Sequence, residues 1–168
     1  MIDKGKIIKS TFRKLGKIDL YNDNKSDEYL VASSSFNDII ENIAKETAFL
    51  FNSATVKLTT VGKNDLGENR FNIPVDSLNI IRLNTNKYRV EGEFIYSPET
   101  ELYIQYCRKI NLSEYPDNLF DYLVIAVCIE MALTFNAYQD KLAIFNQLEY
   151  QERSKIINQQ GFNWKPWE

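Results

Sequence analysis

Side chains able to do chemistry are sparse in this sequence, and most of them are acidic. Glu91 and Glu93 flank Gly92, and Glu149 and Glu152 share a helix-like stretch. Carboxylates at such spacings can ligate a hard cation or pass a proton. Far more often they are solvated surface, and both pairs are expected to be so. Glu130 interrupts the apolar run from Tyr122 to Phe135. An unpaired buried charge is costly, so Glu130 either meets a basic residue across an interface or lies at an exposed edge. Histidine is absent, which removes Ser-His and Cys-His nucleophile systems and most catalytic zinc sites. The six glycines are scattered singly, so no phosphate-cradling loop is present. Cys107 sits in a strand pattern and Cys128 in the apolar helix, with no CxxC. Both read as buried, reduced thiols of a cytosolic protein, although sequence alone leaves a disulfide open. The expectation is therefore a protein that is not an enzyme, with no metal and no cofactor.

The elements that would carry these residues follow from periodicity and punctuation. Residues 3–15 predict a first helix with Ile8, Phe12 and Leu15 on one face and Gly16 as its stop. Residues 17–32 read as a loop, because Asn22, Asp23, Asn24, Ser26 and Asp27 cluster there. A second helix is expected from Ser35, with Phe36, Ile39, Ile40, Ile43, Thr47, Leu50 and Phe51 at helical spacing. Strand patterns follow at 55–61, 71–73, 78–83, 88–90, 94–96 and 101–107. Glu91-Gly92-Glu93 forms a tight hairpin turn between two of them. Together these predict one mostly antiparallel sheet of about four to six strands. From Pro116 the chain reads as a helix pair, 117–136 and 138–157. The first is apolar on almost every side, and such a helix must be covered all round.

The fold class expected is α+β: a bundle of about four helices with a small, mostly antiparallel β domain inserted between the helix pairs. As one domain of 168 residues, it divides into N-terminal helices (1–52), a β subdomain (53–110), a C-terminal helix pair (116–158) and an aromatic tail (159–168). Phe162, Trp164 and Trp167 lie in that tail, which either folds back on its own domain or docks in a partner's groove. A net charge of −3 argues against a dedicated nucleic-acid binder. The N-terminal segment nevertheless leans basic, through Lys4, Lys6, Lys9, Arg13, Lys14 and Lys17. No continuous apolar core follows these lysines, so no signal peptide is expected. The Tyr122–Phe135 run is too short to span a bilayer, so no membrane is expected as a partner.

Several segments, in order, resemble the head–tail adaptor, or head-completion, proteins of podovirus-type phages (the tail tubular protein A-like family). They are Phe71-Asn72-Ile73-Pro74-Val75-Asp76-Ser77-Leu78, Tyr88-Arg89-Val90-Glu91-Gly92, Phe94-Ile95-Tyr96-Ser97 and Leu102-Tyr103-Ile104-Gln105-Tyr106. Phe120-Asp121-Tyr122-Leu123 and Glu130-Met131-Ala132-Leu133-Thr134 on the long helix complete the set. Ser77 departs from the family's aromatic before Leu78, and Phe49 and Phe51 stand where a tryptophan-containing segment is usual.

The resemblance implies a structural virion protein, made in the bacterial host cytoplasm and located at the head–tail junction. It implies a ring, commonly of twelve copies, between the portal protein and a downstream tail or nozzle protein. Such a ring extends the channel for double-stranded DNA without binding it tightly, helps retain the packaged DNA and provides a platform for the tail. On that reading Leu119, Leu123, Ala126, Val127, Glu130, Met131 and Leu133 are expected at the subunit interface. Phe162, Trp164 and Trp167 are expected to dock on the portal. Asn64, Asp65, Asn86, Glu91, Gly92 and Glu93 are expected in loops that touch the tail or a neighbouring copy. Alternatives are another neck or tail-completion ring protein, a small DNA-binding factor using the N-terminal lysines, and a metal-dependent factor using carboxylates.

Overall fold

A computed structural model describes residues 1–160. The fold is α+β, with helices at both ends of the chain and strands between them. It forms two compact units, a helical one from Met1–Ile43 plus residues 110–160, and a β one from Ala44–Lys109.

Helix α1 (Lys4–Leu15) is closed at both ends by its own sequence. The Asp3 carboxylate accepts from the Lys6 amide at 2.8 Å, the usual way to satisfy an orphan donor of the first turn. Gly16 adopts φ 74°, and the Gly16 and Lys17 amides return to the Arg13 and Phe12 carbonyls at 3.1 and 2.8 Å. This Schellman closure needs a left-handed residue that glycine supplies without steric cost. Ile7, Ile8, Thr11, Phe12 and Leu15 are buried, the face expected from the spacing.

The second helix, α2 (Asp27–Lys45), starts a full two turns before Ser35, and a short 3-10 turn (Ile18–Asn22) precedes it. The expected loop over 17–32 is corrected accordingly. Its polar cluster ends in a cap: the Ser26 hydroxyl accepts from the Tyr29 amide at 3.2 Å. Asp27 and Glu28 then favour the positive helix end. Ser33, Ser34 and Ser35 lie inside the helix because Ala32 and Phe36 on either side are buried.

After the 3-10 turn Asp117–Leu119, helix α3 runs Phe120–Thr134. Phe135 turns extended (φ −114°, ψ 121°), a further 3-10 segment covers Asn136–Lys141, and α4 occupies Leu142–Gln159. The expected helices 117–136 and 138–157 are thus shorter and later, because Phe135 leaves helical backbone geometry. Helix α3 packs on α1 and on α4. Among the described residues, no helix is long and apolar enough to cross a membrane.

The β unit has seven strands in two antiparallel sheets, where one sheet of four to six was expected. Strands β1 (Ser53–Leu58), β4 (Ser77–Leu83) and β7 (Leu102–Arg108) make the first, in the order β1-β7-β4. Strands β2 (Thr60–Lys63), β3 (Asn69–Asn72), β5 (Arg89–Glu91) and β6 (Phe94–Ser97) make the second, in the order β2-β3-β6-β5. The run 55–61 that reads as one strand changes sheets at Thr59. Phe71 and Ile95 from one sheet meet Leu58, Leu83, Leu102, Ile104 and Tyr106 from the other in a single core. Gly92 (φ 59°) opens the two-residue β5–β6 turn, in which Glu91 pairs with Phe94. Glycine at the first central position is what a type II′ hairpin requires.

Candidate functional site

Of the acidic pairs singled out by sequence, Glu91, Glu149 and Glu152 have intramolecular partners, and Glu93 is exposed. Glu91 forms an ion pair with Arg89. The same guanidinium donates to the Glu68 carboxylate from Nε at 3.2 Å and from Nη2 at 2.9 Å. Arg89, followed by the Asn64 amide, holds the Glu68 carboxyl below its ordinary range. Glu152 accepts from Lys155 at 2.5 Å, and Glu149 lies 4.0 Å from Arg153. Among the described residues no three His, Cys, Asp or Glu side chains converge into a metal site. Cys107 and Cys128 are both free thiols, both buried, one in each unit. Burial pushes the Cys128 thiol up to about 12 and raises that of Cys107.

Of the expected subunit-interface residues, Leu119, Leu123, Val127 and Met131 are fully buried inside the helical unit. This corrects the expectation for those four. The physical reason is that α1 on one side and α4 with the Asn136–Lys141 turn on another already cover α3. The all-round apolar helix is largely dry within its own chain. Ala126 is half-buried, while Glu130 and Leu133 face solvent.

Glu130 borders a cavity of about 230 Å³ whose other walls are Ser35, Asp38, Ile39 and Asn42 of α2. These four recur at i, i+3, i+4 and i+7, so one helix face builds the wall. The long exposed side of α4 is a second open surface. That helix buries only Phe145 and Ile156, and Ile144 and Tyr150 are exposed to 61% and 71%. The N-terminal cations make a third, with Lys6, Lys9, Arg13 and Lys14 of α1 and Lys17 beyond it all exposed.

In the β unit the expected contact loop at Asn64 and Asp65 is closed by its own hydrogen bonds. The Asn64 side chain accepts from the Leu66 and Glu68 amides at 3.0 and 2.9 Å and donates to the Glu68 carboxylate at 2.7 Å. Gly67 (φ 79°) completes the turn. Asp65 and Leu66 are thereby held outward, with Leu66 79% exposed. Asn86, Glu91, Gly92 and Glu93 are exposed as well. An open groove of about 640 Å³ lies beside β4, lined by Ile73, Pro74, Val75, Leu78 and Ile80, by the polar Asn72, Ser77 and Asn79, and by Gly92 and Glu93.

One feature escaped the sequence reading. On the outer face of the four-stranded sheet, the Arg70 guanidinium covers the Phe94 ring at 4.9 Å and Arg89 covers Tyr96 at 4.7 Å. The cross-strand register Arg70↔Tyr96↔Arg89 sets these pairs side by side. The signal was present in β3, β5 and β6, but it becomes legible only once their pairing is known. Phe162, Trp164 and Trp167, the expected portal-docking residues, lie outside the described residues.

In comparison with known proteins, no family model matches this chain and no curated protein matches it.

Proposed function

We propose that the chain is a structural subunit of a phage head–tail adaptor ring, which sits beneath the portal, continues the DNA channel and carries the tail. The observation that carries this reading is the nested order of the chain. Two helices lead into a β insertion whose strands β3 to β7 contain the resembling segments, and the chain then returns to a helix pair. Open protein-binding surfaces support it. An eighteen-residue helix that buries only two side chains presents the kind of half-used apolar face that a neighbour covers. Glu91, Glu152 and Glu149 are engaged by Arg89, Lys155 and Arg153 and so serve structure.

With α3 already dry, ring contacts on this reading fall to the outer surfaces: the exposed side of α4, Glu130 and Leu133 of α3, and the loops of the β unit. The subunit folds first and assembles second. Electron microscopy of the purified protein mixed with the portal encoded in the same genome tests the proposal. A ring of added density on the tail-proximal end of the portal is the expected result. Portals that remain bare at saturating protein overturn it.

A further inference from the structure

Helix α1 contains no acidic side chain. Lys6, Lys9 and Arg13 follow one another at helical i+3 and i+4 spacing on its exposed side, with Lys14 adjacent. Among the described residues Lys4 is the α1 cation at the α2 contact, donating to the Asn37 side chain at 2.9 Å and covering the Phe36 ring, while Lys9 lies 5.9 Å over the Tyr21 ring. The stripe from Lys6 to Arg13 is about 10 Å long at the helical rise. Elsewhere in the same unit, Asp38 and Glu130 stand at the Ser35–Asn42 cavity, whose α2 wall spans the same two turns. Neither carboxylate has an ion-pair partner among the described residues, and no α1 cation reaches them within one copy.

We infer that the α1 stripe of one copy docks on the Asp38–Glu130 cavity of the next, so that the chain self-associates head to tail. Opposite charges of matching length on two different faces of one unit make a heterologous contact, which closes into a ring or propagates. The cavity is polar enough, through Ser35 and Asn42, to accept the donors of an arginine or lysine head, while Ile39 walls its stem. The chain's overall acidic excess, 23 against 20, disfavours the rival occupant of the stripe, duplex DNA. This inference deepens the ring reading and rests on it by naming the surfaces that close the ring.

Disulfide trapping tests it on the full chain. Arg13→Cys protein is mixed with Asp38→Cys protein and oxidised at low salt; Cys107 and Cys128 are buried and do not compete. The mixed cross-linked dimer is expected, and an Arg13→Cys plus Asp121→Cys control, with Asp121 exposed at the start of α3 away from the cavity residues, is expected to give none. By sedimentation, Lys9→Glu/Arg13→Glu should weaken self-association about 100-fold or more, because like charges then face each other. Asp38→Lys/Glu130→Lys should do the same, and all four reversals in one chain should restore it. A trapping yield equal to the control, or an unchanged mass on reversing the stripe, overturns the inference. So does loss of short-duplex binding on stripe reversal with self-association intact. Stripe-reversed protein that still rings the portal rejects this contact and leaves the adaptor reading standing. Trapped head-to-tail chains that ignore the portal do the opposite.

Discussion

The Lys141 ammonium donates to the Leu15 carbonyl at 2.7 Å. It joins the turn before α4 to the last residue of α1, 126 positions away in sequence. A helix end leaves carbonyls without intrahelical donors, and a cation there also meets the negative end of the macrodipole. Replacing Lys141 with Met keeps the stem and removes the donor. The expected cost is about 1–2 kcal/mol, read as a lower urea midpoint of the helical signal. Gly16 supports the same closure. Gly16→Ala forces a side chain onto φ 74° and should cost about 1 kcal/mol even though Lys141 Nζ stands 3.9 Å from the new methyl.

In the β unit Asn52 has the corresponding role. It is 1% exposed, and its amide donates to the carbonyls of Ala44 and Arg108 at 2.8 and 2.9 Å. The Arg108 amide returns to the Asn52 carbonyl at 2.9 Å. Asn52→Leu leaves both acceptors unpaired in a dry site and should destabilise the unit by about 2–4 kcal/mol. Thermal unfolding followed in the near-ultraviolet measures it. An unchanged midpoint would show that water replaces the amide.

Much of this architecture was legible because local chemistry agreed with the tertiary outcome. Asp3 and Gly16 mark α1, Gly92 marks the β5–β6 turn, and Leu102, Ile104 and Tyr106 mark the buried face of β7. What was not legible depended on information from elsewhere in the chain. The pattern across Thr59 alternates without interruption, and only pairing with β7 on one side and β3 on the other splits it between sheets. The start of α2 was hidden because a capping serine within an Asn/Asp/Ser cluster looks like loop. The cover over Leu123, Val127 and Met131 could not be read from α3 alone, since α1 and α4 provide it. For the same reason Leu119, Leu123, Val127 and Met131, expected at the interface, fall in the core, while Leu133 stays exposed and the exposed α1 cations emerge as a candidate contact.

Alkaline pH should loosen the helical unit, which holds both Tyr115 and Cys128, in a defined window. Burial raises the Tyr115 hydroxyl and the Cys128 thiol to about 12, from ordinary values of 10.0 and 9.0. Each is neutral when protonated, so the folded chain retains protons that the unfolded chain releases. Stability is therefore unchanged below about pH 9 and falls as pH rises from there toward 12. Cys128→Ala should move the onset upward toward the tyrosine range, and Tyr115→Phe should remove the later part. The latter also sacrifices the hydrogen bond to the Ile40 carbonyl at 3.0 Å, so its stability at neutral pH should drop by about 1 kcal/mol. Urea midpoints across the alkaline range separate the two effects.

Removal of residues 161–168 tests the portal-docking role assigned to Phe162, Trp164 and Trp167. Aromatic side chains that enter a desolvated pocket dominate binding energies, with truncations costing 2 kcal/mol or more, or roughly 30-fold each. If they anchor the adaptor, the truncated chain keeps the unfolding midpoint of the full chain and no longer co-sediments with the portal. Trp164→Ala and Trp167→Ala should each reproduce part of that loss. A midpoint that falls with truncation assigns the tryptophans to the protein's own core. Co-sedimentation at full strength assigns portal binding to another surface, and the exposed side of α4 with Ile144 and Tyr150 is then the first to mutate.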